Sequence, residues 1–325
     1  MFTEALIANA LSPRLFSLIL LPTEKCNFRC TYCYEDFAVG RMQPKVIGSI
    51  KKLIERRISS LDCLTLSWFG GEPLLAKDIV FDIGTFAHDL CAANGVAFNA
   101  GFTTNGYLLT PDLFKSFQLI SHNEYQITLD GDAEWHDQTR VMANKGPTFD
   151  RIWSNLSAFK RIDGYFKIRL RLHVHGDNVE SLKRLYAKIQ EELIDDRRFQ
   201  IYFHKISNLS AEGGIKEKVL DRSAYNEALQ YITGGHSLTP GSRGGSSEQQ
   251  LVGYICYAAK PNSLLVRANG GIGKCTVALY DDRNNIGQLK EDGTIDVANE
   301  KLSRWLNGFS TLSEKALGCP LTSMT

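Results

Sequence analysis

The sequence has no excess of charge of one sign and no hydrophobic run long enough to cross a bilayer. Its 37 lysine and arginine residues are balanced by 36 aspartate and glutamate residues, which leaves a formal net charge of +1 at pH 7. Without an excess of positive charge the protein does not attract a phosphate backbone, so nucleic-acid partners are disfavoured. The first apolar run, Leu15 to Pro22, is far shorter than the roughly 20 residues of a membrane helix, which disfavours a membrane partner too.

The N-terminus also lacks the basic segment of a secretory signal, because it begins Met1-Phe2-Thr3-Glu4. We therefore predict a cytoplasmic protein. Eight cysteines would indicate disulfides in a small secreted chain, but this chain has 325 residues and no visible export signal. In a reducing compartment, clustered cysteines more often bind metal or carry out redox chemistry.

Strand-like and helix-like patterns alternate from Leu15 onward in a composition that is ordinary for a globular protein. The predicted strands are Leu15–Leu21, Leu64–Phe69, Ala97–Thr104, Tyr125–Asp130, Phe166–His175 and Phe199–Lys205. The predicted helices are Pro44–Leu61, Ala76–Ala93, Asp112–Leu119, Thr148–Arg161, Asn178–Leu193 and Ser223–Ile232. Strands joined by helices pair in parallel. The fold class is therefore α/β, a partial (βα)6 barrel similar to a TIM barrel, with a flat doubly wound sheet as the alternative.

The pattern changes after the sixth unit. A Gly/Ser-rich stretch is typical of a linker or loop, and short strand-like pieces follow it at Ser263–Arg267 and Val277–Tyr280. We predict an N-terminal segment (1–14), the partial barrel (15–232), a linker (233–249) and a small C-terminal auxiliary domain (250–325).

The sharpest local signal is three cysteines within eight residues, Cys26, Cys30 and Cys33. They follow the first predicted strand, where a barrel places its chemistry. A structural zinc site is closed by four ligands, and no fourth Cys or His lies nearby in the sequence. Iron–sulfur clusters are normally held by four cysteines, so three indicate a cluster with one iron left open. A zinc site and unligated buried cysteines are the alternatives.

Together with a second motif, these cysteines resemble the radical S-adenosylmethionine (SAM) enzyme superfamily. The aromatic Tyr32 precedes the last cysteine, and Gly70-Gly71-Glu72-Pro73 follows the second strand. The resemblance covers about 15–232. It implies a 4Fe–4S cluster on the three cysteines, with SAM chelating the fourth iron through its amino and carboxylate groups. One electron would cleave SAM to methionine and a 5′-deoxyadenosyl radical, which abstracts a hydrogen from the substrate.

The resemblance also implies which residues bind SAM besides Tyr32. In this family the end of the second strand binds the SAM amino group, so Gly70 and Gly71 would let the backbone approach the ligand while Glu72 accepts from the ammonium. Asn105, at the end of the third strand, is expected to contact the ribose or adenine. Thr128 lies where related enzymes place a hydroxyl near SAM.

Alternation along the fifth strand predicts which of its side chains face the barrel lumen. Ile168 to Val174 places an apolar residue at every second position, which would pack under the helices. The other face carries Lys167, Arg169, Arg171, His173 and His175; a charged solvent face is the alternative. Arg171 would meet a SAM carboxylate or an acidic group of the substrate.

Other polar residues complete the predicted site. Asp130 lies in a Leu-Asp-Gly sequence that resembles the family's strand end, although an exit turn is the alternative. Tyr202 and His204 share a face of the sixth strand, as cavity or as core residues. His136-Asp137-x2-Arg140 resembles a short family element, with surface salt bridges as the alternative. The residues predicted to be catalytic are Asp130, Arg171, His173, Tyr202 and His204.

Three further cysteines, Cys256, Cys275 and Cys319, lie beyond the barrel. The segments around Cys275 and Cys319 resemble the auxiliary-cluster region of the SPASM/twitch subgroup. A complete region supplies seven cysteines for two clusters, so three imply at most one auxiliary 4Fe–4S cluster, with water, another side chain or the substrate as fourth ligand. The alternatives are a zinc site, a truncated chain, and ordinary thiols such as we expect of Cys63 and Cys91.

The resemblance implies a radical SAM enzyme that oxidatively modifies, by crosslinking, residues of a ribosomally made peptide or protein. Its partners would be that precursor and a reducing protein such as flavodoxin or ferredoxin. About a dozen residues precede the first strand, so no leader-binding domain is expected there. The alternatives are a small-molecule radical SAM dehydrogenase or epimerase, and a metal-stabilised binding protein without catalysis.

Overall fold

The computed structural model describes residues 2–206, 219–236 and 253–324. Their strands are β1 (Leu15–Leu20), β2 (Phe28–Cys30), β3 (Cys63–Trp68), β4 (Ala97–Thr104), β5 (His122–Leu129), β6 (Arg140–Met142), β7 (Lys167–Val174), β8 (Phe199–Lys205), β9 (Ser263–Val266), β10 (Gly271–Gly273), β11 (Gly287–Leu289) and β12 (Ile295–Val297). Their helices are α1 (Glu4–Leu11), α2 (Pro44–Ile58), α3 (Lys77–Asn94), α4 (Pro111–Gln118), α5 (Ala133–Thr139), α6 (Phe149–Phe159), α7 (Val179–Glu192), α8 (Arg222–Thr233), α9 (Asn299–Leu306), α10 (Gly308–Thr311) and α11 (Glu314–Gly318).

Six parallel strands form the centre of the molecule in the order β1-β3-β4-β5-β7-β8. One face of this sheet packs under helices, whereas polar side chains of the other face line a cavity, among them Ser67, Thr103, Gln126 and Arg169. A doubly wound sheet would carry helices on both faces. The one-sided cover confirms the predicted α/β fold of partial-barrel type.

The predicted apolar face of β7 forms part of the core. Ile168, Leu170, Leu172 and Val174 are all 0% exposed. Burying each of these side chains contributes about 1.5–3 kcal/mol to folding. The interposed Arg171 keeps partial exposure on the opposite face, as the alternation predicts.

Local signals explain where the helices begin and end. At α4 the Thr110 hydroxyl accepts from the amide of Leu113, and Pro111 occupies the first turn, where its missing N–H costs nothing. The α3 helix ends at Gly95, which takes a left-handed conformation with φ +66°.

The C-terminal strands extend the sheet instead of standing apart from it. β9 pairs in parallel with β1, and β10, β11 and β12 follow in antiparallel order. The predicted strand Val277–Tyr280 is wrong, because Asn284 Nδ2 binds the carbonyls of Cys275 and Ala278 and holds this segment in turns. The domain boundaries remain a prediction, and the predicted linker 233–249 lies outside the described residues from 237 onward.

Short elements near the motif were not foreseen. β2 and β6 pair with each other as a separate two-stranded ribbon that places Cys30 opposite Arg140. With three residues each, these strands are too short to show an alternating pattern. Among the helices described, none combines the length and the apolar character that a membrane span requires.

A buried histidine at the start of β5 makes stability depend on pH. The His122 ring is 0% exposed and lies against Trp68, Phe102 and Phe117, while its Nδ1 lies 2.8 Å from the Ile120 carbonyl. Burial lowers the pKa of His122 to about 4, so the unfolded chain takes up this proton at higher pH than the folded protein does.

The stability that His122 contributes is therefore complete above pH 6.5 and is lost as the pH falls toward 4. In urea unfolding at pH 7 and pH 5, we expect His122→Asn to reduce the stability difference between the two pH values by about 2 kcal/mol relative to wild type. An unchanged difference would contradict the assignment.

Candidate active site

A cavity of about 1080 Å³, measured out to its open mouth, lies at the carboxyl ends of the barrel strands. The predicted site residues in its wall are Cys26, Cys30, Tyr32, Cys33, Gly70, Gly71, Asn105, Thr128, Arg171, His173 and His204. The structure thus brings the cysteine motif, the glycine motif and the lumen side chains to one place.

The three motif cysteines lie on a loop that its own backbone and Arg29 hold in shape. Arg29 Nη1 donates to the carbonyls of Cys26 at 2.8 Å and Phe28 at 2.7 Å, and the Cys33 amide donates to the Cys30 carbonyl at 3.1 Å. Burial raises the pKa of Cys26 to about 12 and that of Cys33 to about 11. Such thiols ionise only when a strong positive partner such as a metal centre compensates the lost hydration.

The chemistry of this donor set fits an iron–sulfur cluster. A 4Fe–4S cluster binds cysteine thiolates, each through a different iron. Cys26, Cys30 and Cys33 would hold that cluster.

The two glycines after β3 also allow the cysteine loop to approach closely, and their predicted role beside a ligand stays a prediction. A Cβ on Gly70 would lie 2.3 Å from the Thr23 carbonyl oxygen, and one on Gly71 would lie 2.5 Å from that of Lys25. Gly70 also has φ +112°, which side chains rarely adopt. Both glycines border the cavity, but their lack of a side chain is required by the backbone that leads into Cys26.

Glu72 is buried outside the cavity wall, and its contact with the SAM ammonium group stays a prediction. Its carboxylate is 0% exposed, and it accepts from the Leu74 amide, the Thr104 hydroxyl and the Asn105 amide at 2.7 to 3.0 Å. Burial raises the pKa of Glu72 to about 6 against these donors. The residue ties the ends of β3 and β4 together and orients Asn105, whose Nδ2 donates to Asn27 Oδ1 at 2.9 Å.

The Tyr32 hydroxyl belongs to a buried network of polar side chains. The Tyr32 hydroxyl donates to Asp130 Oδ1 at 2.9 Å and accepts from Arg140 Nη1 at 2.6 Å. His173 Nδ1 lies 3.2 Å from the Tyr32 hydroxyl and 3.3 Å from Asp130 Oδ1. Thr139 donates to the second carboxylate oxygen at 2.9 Å.

Asp130 is therefore an anchor of this network, and its catalytic role stays a prediction. It is 1% exposed and absent from the cavity wall. Burial alone would raise the pKa of Asp130, but the hydrogen bond from His173 and the charge of Arg140 outweigh it and hold the pKa well below its usual range. His136 and Arg140 are also buried, so the alternative of surface salt bridges for this element is wrong.

The lumen side chains of β7 and β8 form the opposite wall. The Nε of Arg171 is buried without a hydrogen-bond partner within the described residues, and burial lowers the pKa of this guanidinium. Burial also lowers the pKa of His173 to about 4 and that of His204 to about 2, so both rings are neutral at pH 7.

Tyr202 is not in the wall; its hydroxyl lies 3.3 Å from His204 Nδ1 behind it. His175 also lies away from the cavity, beside Trp135.

The C-terminal cysteines gather beside the same cavity. Burial raises the pKa of Cys256 to about 11. The Cys256 amide donates to the carbonyl of Leu317, two residues before Cys319, at 2.8 Å. The hydroxyls of Tyr257 and Thr276, the residues that follow Cys256 and Cys275, lie 2.9 Å apart. Thr276, next to Cys275, lines the cavity, and its carbonyl accepts from the Tyr34 hydroxyl at 3.1 Å. One member of this second cysteine group, Cys275, is thus the immediate neighbour in the chain of Thr276, a residue of the cavity wall.

Two residues of the site were missed as functional candidates. Arg140 lines the cavity beside the cysteines, and its place in the His-Asp-x2-Arg element was the available signal. Glu35 follows the motif by two residues and also lines the cavity. Burial and the nearby charge of Glu24 raise the pKa of Glu35 to about 8, and its Oε2 is buried without a hydrogen-bond partner among the described residues. Nothing in the sequence around Glu35 predicted the burial of this oxygen.

Comparison with known proteins identifies the family. The model of the Radical SAM superfamily matches residues 20–189, more than half of the chain. The chain is 30% identical to a cysteine-type anaerobic sulfatase-maturating enzyme of Clostridium novyi, over 45% of this chain and 40% of that protein. It is 25% identical to a GTP 3′,8-cyclase of Microcystis aeruginosa, over 82% of this chain and 80% of that protein.

A solved structure shares the fold. The chain superposes on anSMEcpe with bound AdoMet and the peptide Cp18Cys at a TM-score of 0.63, with 20% identity, over 89% of this chain and 80% of that one. The chain spans half or less of the length of several curated relatives that it matches. The family match and the cysteine donor set agree. The chain belongs to the radical SAM superfamily, and this membership implies an enzyme with a 4Fe–4S cluster and SAM.

Proposed function

We propose that this enzyme reductively cleaves SAM and oxidatively modifies, by crosslinking, residues of a ribosomally made peptide or protein. The observation that carries this proposal is the second cysteine group, Cys256, Cys275 and Cys319, which backbone and side-chain hydrogen bonds of neighbouring residues hold beside the cavity of the motif cysteines. Hydrogen abstraction followed by bond formation leaves one electron to be removed. An auxiliary 4Fe–4S cluster on these cysteines would accept it, and a flavodoxin or ferredoxin would supply the electron that cleaves SAM.

The residues of the chain position the reactants. The bound cluster and SAM supply the radical chemistry. Arg171 lines the cavity and would donate through its guanidinium N–H groups to a carboxylate of SAM or of the substrate. Asn105 and Thr128 offer polar atoms to the ribose or adenine. Neutral His173 lies in the wall and orients Tyr32.

Two known proteins support a peptide or protein substrate. The C. novyi relative is named for maturing a sulfatase, and the superposed structure contains a bound peptide. The second candidate is a small-molecule radical SAM enzyme, as a dehydrogenase or epimerase. The GTP 3′,8-cyclase favours it, because that match extends over 82% of this chain.

The iron content of anaerobically reconstituted protein tests the proposal. We expect about eight irons per chain, which corresponds to two 4Fe–4S clusters, and no zinc. Cys275→Ala should lower this to about four irons and leave SAM cleavage measurable, since the motif cysteines keep their cluster. Cys63→Ala is the matched control, because Cys63 lies on β3 outside the cavity wall, and it should retain the wild-type content.

About four irons in the wild type, or unchanged iron in Cys275→Ala, would contradict the auxiliary cluster. The first result would favour redox-neutral chemistry on a small molecule.

A further inference from the structure

A second cavity lies on the polar face of the sheet, beside the cavity of the motif cysteines. This lower cavity measures about 490 Å³ out to its open mouth, and its wall includes Ser67, Thr103, Glu124, Gln126, Lys167 and Arg169. Thr103 lines both cavities. On β7, Arg171 lines the upper cavity and Arg169 lines the lower one, so the two cavities follow each other along the strands at a spacing of about 7 Å.

Arg169 is a charged side chain of the lower cavity without a counter-charge. It is half-buried, and among the described residues nothing forms a hydrogen bond or an ion pair with its guanidinium. The carboxylate of the wall belongs to Glu124, whose Oε1 lies 3.7 Å from Lys167 Nζ. An arginine is always charged and is rarely buried without a partner. Two cations against one carboxylate leave the wall with one positive charge, and Arg169 carries it.

Uncharged polar groups lie next to Arg169 in the same row of the sheet. Gln126 is directly opposite Arg169 on β5, and Thr103 is opposite Gln126 on β4. In the part of the chain that the structure describes, the side chains of Gln126 and Thr103 have no hydrogen-bond partner, and both line the lower cavity. The row therefore presents a guanidinium, an amide and a hydroxyl, all of which can donate to one anion.

The composition of the wall favours a carboxylate over a phosphate. The wall residues all belong to β3, β4, β5 and β7, whose backbone amides pair within the sheet. Phosphate sites typically use free backbone amides at the beginning of a helix, and among the described residues no helix begins in this wall. The planar guanidinium fork matches the two oxygens of a carboxylate, and a net charge of one suits a monoanion.

We propose that the lower cavity is a specificity subsite that binds the carboxylate of an acidic side chain, a glutamate or an aspartate, of the peptide substrate. This assignment rests on the proposed function, because it takes the substrate to be a peptide. Arg169 donates to both carboxylate oxygens, and Gln126 and Thr103 donate to the same group. Glu124, exposed in the same wall, disfavours a second anion. The bound acid holds the peptide beside the upper cavity, where a neighbouring residue meets the radical derived from SAM.

The test compares two probes on the reconstituted full chain with SAM bound. The probes are the capped tripeptides acetyl-Gly-Glu-Gly-amide and acetyl-Gly-Gln-Gly-amide, which have nearly the same shape and differ in charge. Both are dialysed together against the enzyme, and mass spectrometry measures the ratio in which they are bound. We expect the wild type to bind the glutamate peptide about 10- to 100-fold more tightly, the range of a charge-assisted hydrogen bond.

Three variants locate the source of this preference. Arg169→Met removes the charge and should abolish most of the preference, whereas Arg169→Lys keeps the charge without the fork and should retain part of it. Glu124→Gln removes the opposing carboxylate and should increase the preference about two- to fivefold, the size of an exposed charge interaction. Arg161→Met is the matched control, because Arg161 is exposed after α6 outside both cavity walls, and it should keep the wild-type preference.

Equal binding of the two peptides to the wild type, absent binding of both, or a preference that survives in Arg169→Met overturns the proposal. A weaker preference in Glu124→Gln also overturns it, and this variant keeps the test decisive if Arg169→Met fails to fold. SAM carries a carboxylate as well, so SAM affinity is measured in each variant. A loss of SAM affinity in Arg169→Met would assign Arg169 to SAM and overturn the subsite.

Iron content and SAM cleavage are measured on the same samples. A wild type with about eight irons and active SAM cleavage but no preference for the glutamate peptide would overturn the subsite alone. A preserved preference with about four irons would overturn the oxidative function and leave the subsite in place. Glutarate presents a carboxylate without a peptide backbone. If glutarate binds as tightly as the glutamate peptide and its binding depends on Arg169, the ligand is a small molecule and the peptide substrate is overturned.

Discussion

Replacing Cys30 with alanine is expected to reduce SAM cleavage to the level of protein-free controls. Cys30 lies on β2 opposite Arg140, in the middle of the loop that carries the motif. Burial raises the pKa of its thiol, so only a bound metal centre keeps it ionised. Without this thiolate one iron loses its protein ligand, and the remaining two cysteines cannot hold a cluster that binds SAM. The measurement is 5′-deoxyadenosine formed under reducing conditions.

Cys63→Ala is the control for this experiment as well. Cys63 is half-buried on β3, where its sulfur accepts from Asn99 Nδ2 at 3.4 Å. This variant should cleave SAM at the wild-type rate. SAM turnover at wild-type level in Cys30→Ala would remove the basis for placing the catalytic cluster on this loop.

The sequence predicts those parts of the site that depend on residues close to one another in the chain. Cys26, Cys30 and Cys33 lie within eight residues, so their spacing alone indicates a shared centre. The period-two pattern of β7 likewise predicts that Arg171 and His173 share the lumen, and the cavity wall contains both. Spacing and alternation depend on few residues, which is why a single sequence suffices for them.

The sequence does not predict which polar side chains form hydrogen bonds with one another in the interior. Asp130 and Glu72 both follow strands that end at the cavity. Their positions in the sequence would allow either carboxylate to face a ligand. Their partners decide the outcome: Tyr32 is 98 residues from Asp130, and Asn105 is 33 residues from Glu72. Such pairs form only when the sheet is assembled, so the sequence alone does not show that these two carboxylates hold the walls of the cavity in place.

The same reasoning applies to the C-terminal strands. β9 was predicted as a strand of a separate small domain, yet it pairs with β1 from more than 240 residues away. No local pattern identifies the partner of a four-residue strand. One buried ion pair at this junction connects the two ends of the chain. Glu24, just before the cysteine motif, is 0% exposed and binds Arg267, just after β9.

Replacing Arg267 with methionine is expected to lower the free energy of unfolding by about 3–5 kcal/mol, because it leaves the Glu24 carboxylate buried without its counter-charge. Urea unfolding under anaerobic conditions measures the loss. Arg304→Met, at an exposed position of α9, is the matched control and should change stability by less than about 0.5 kcal/mol.

The double variant Glu24→Leu/Arg267→Met separates the cost of an orphaned charge from the loss of a contact. When both charges are removed, no buried charge remains unpaired, so the double variant should be more stable than Arg267→Met alone. If the two variants were equally unstable, the packing of Arg267 against Tyr280 would carry the effect, since this guanidinium lies 5.3 Å from that ring. If Arg267→Met were as stable as wild type, the ion pair would not hold the C-terminal strands against the cysteine loop, and the second cysteine group would depend on β9 alone for its place beside the cavity.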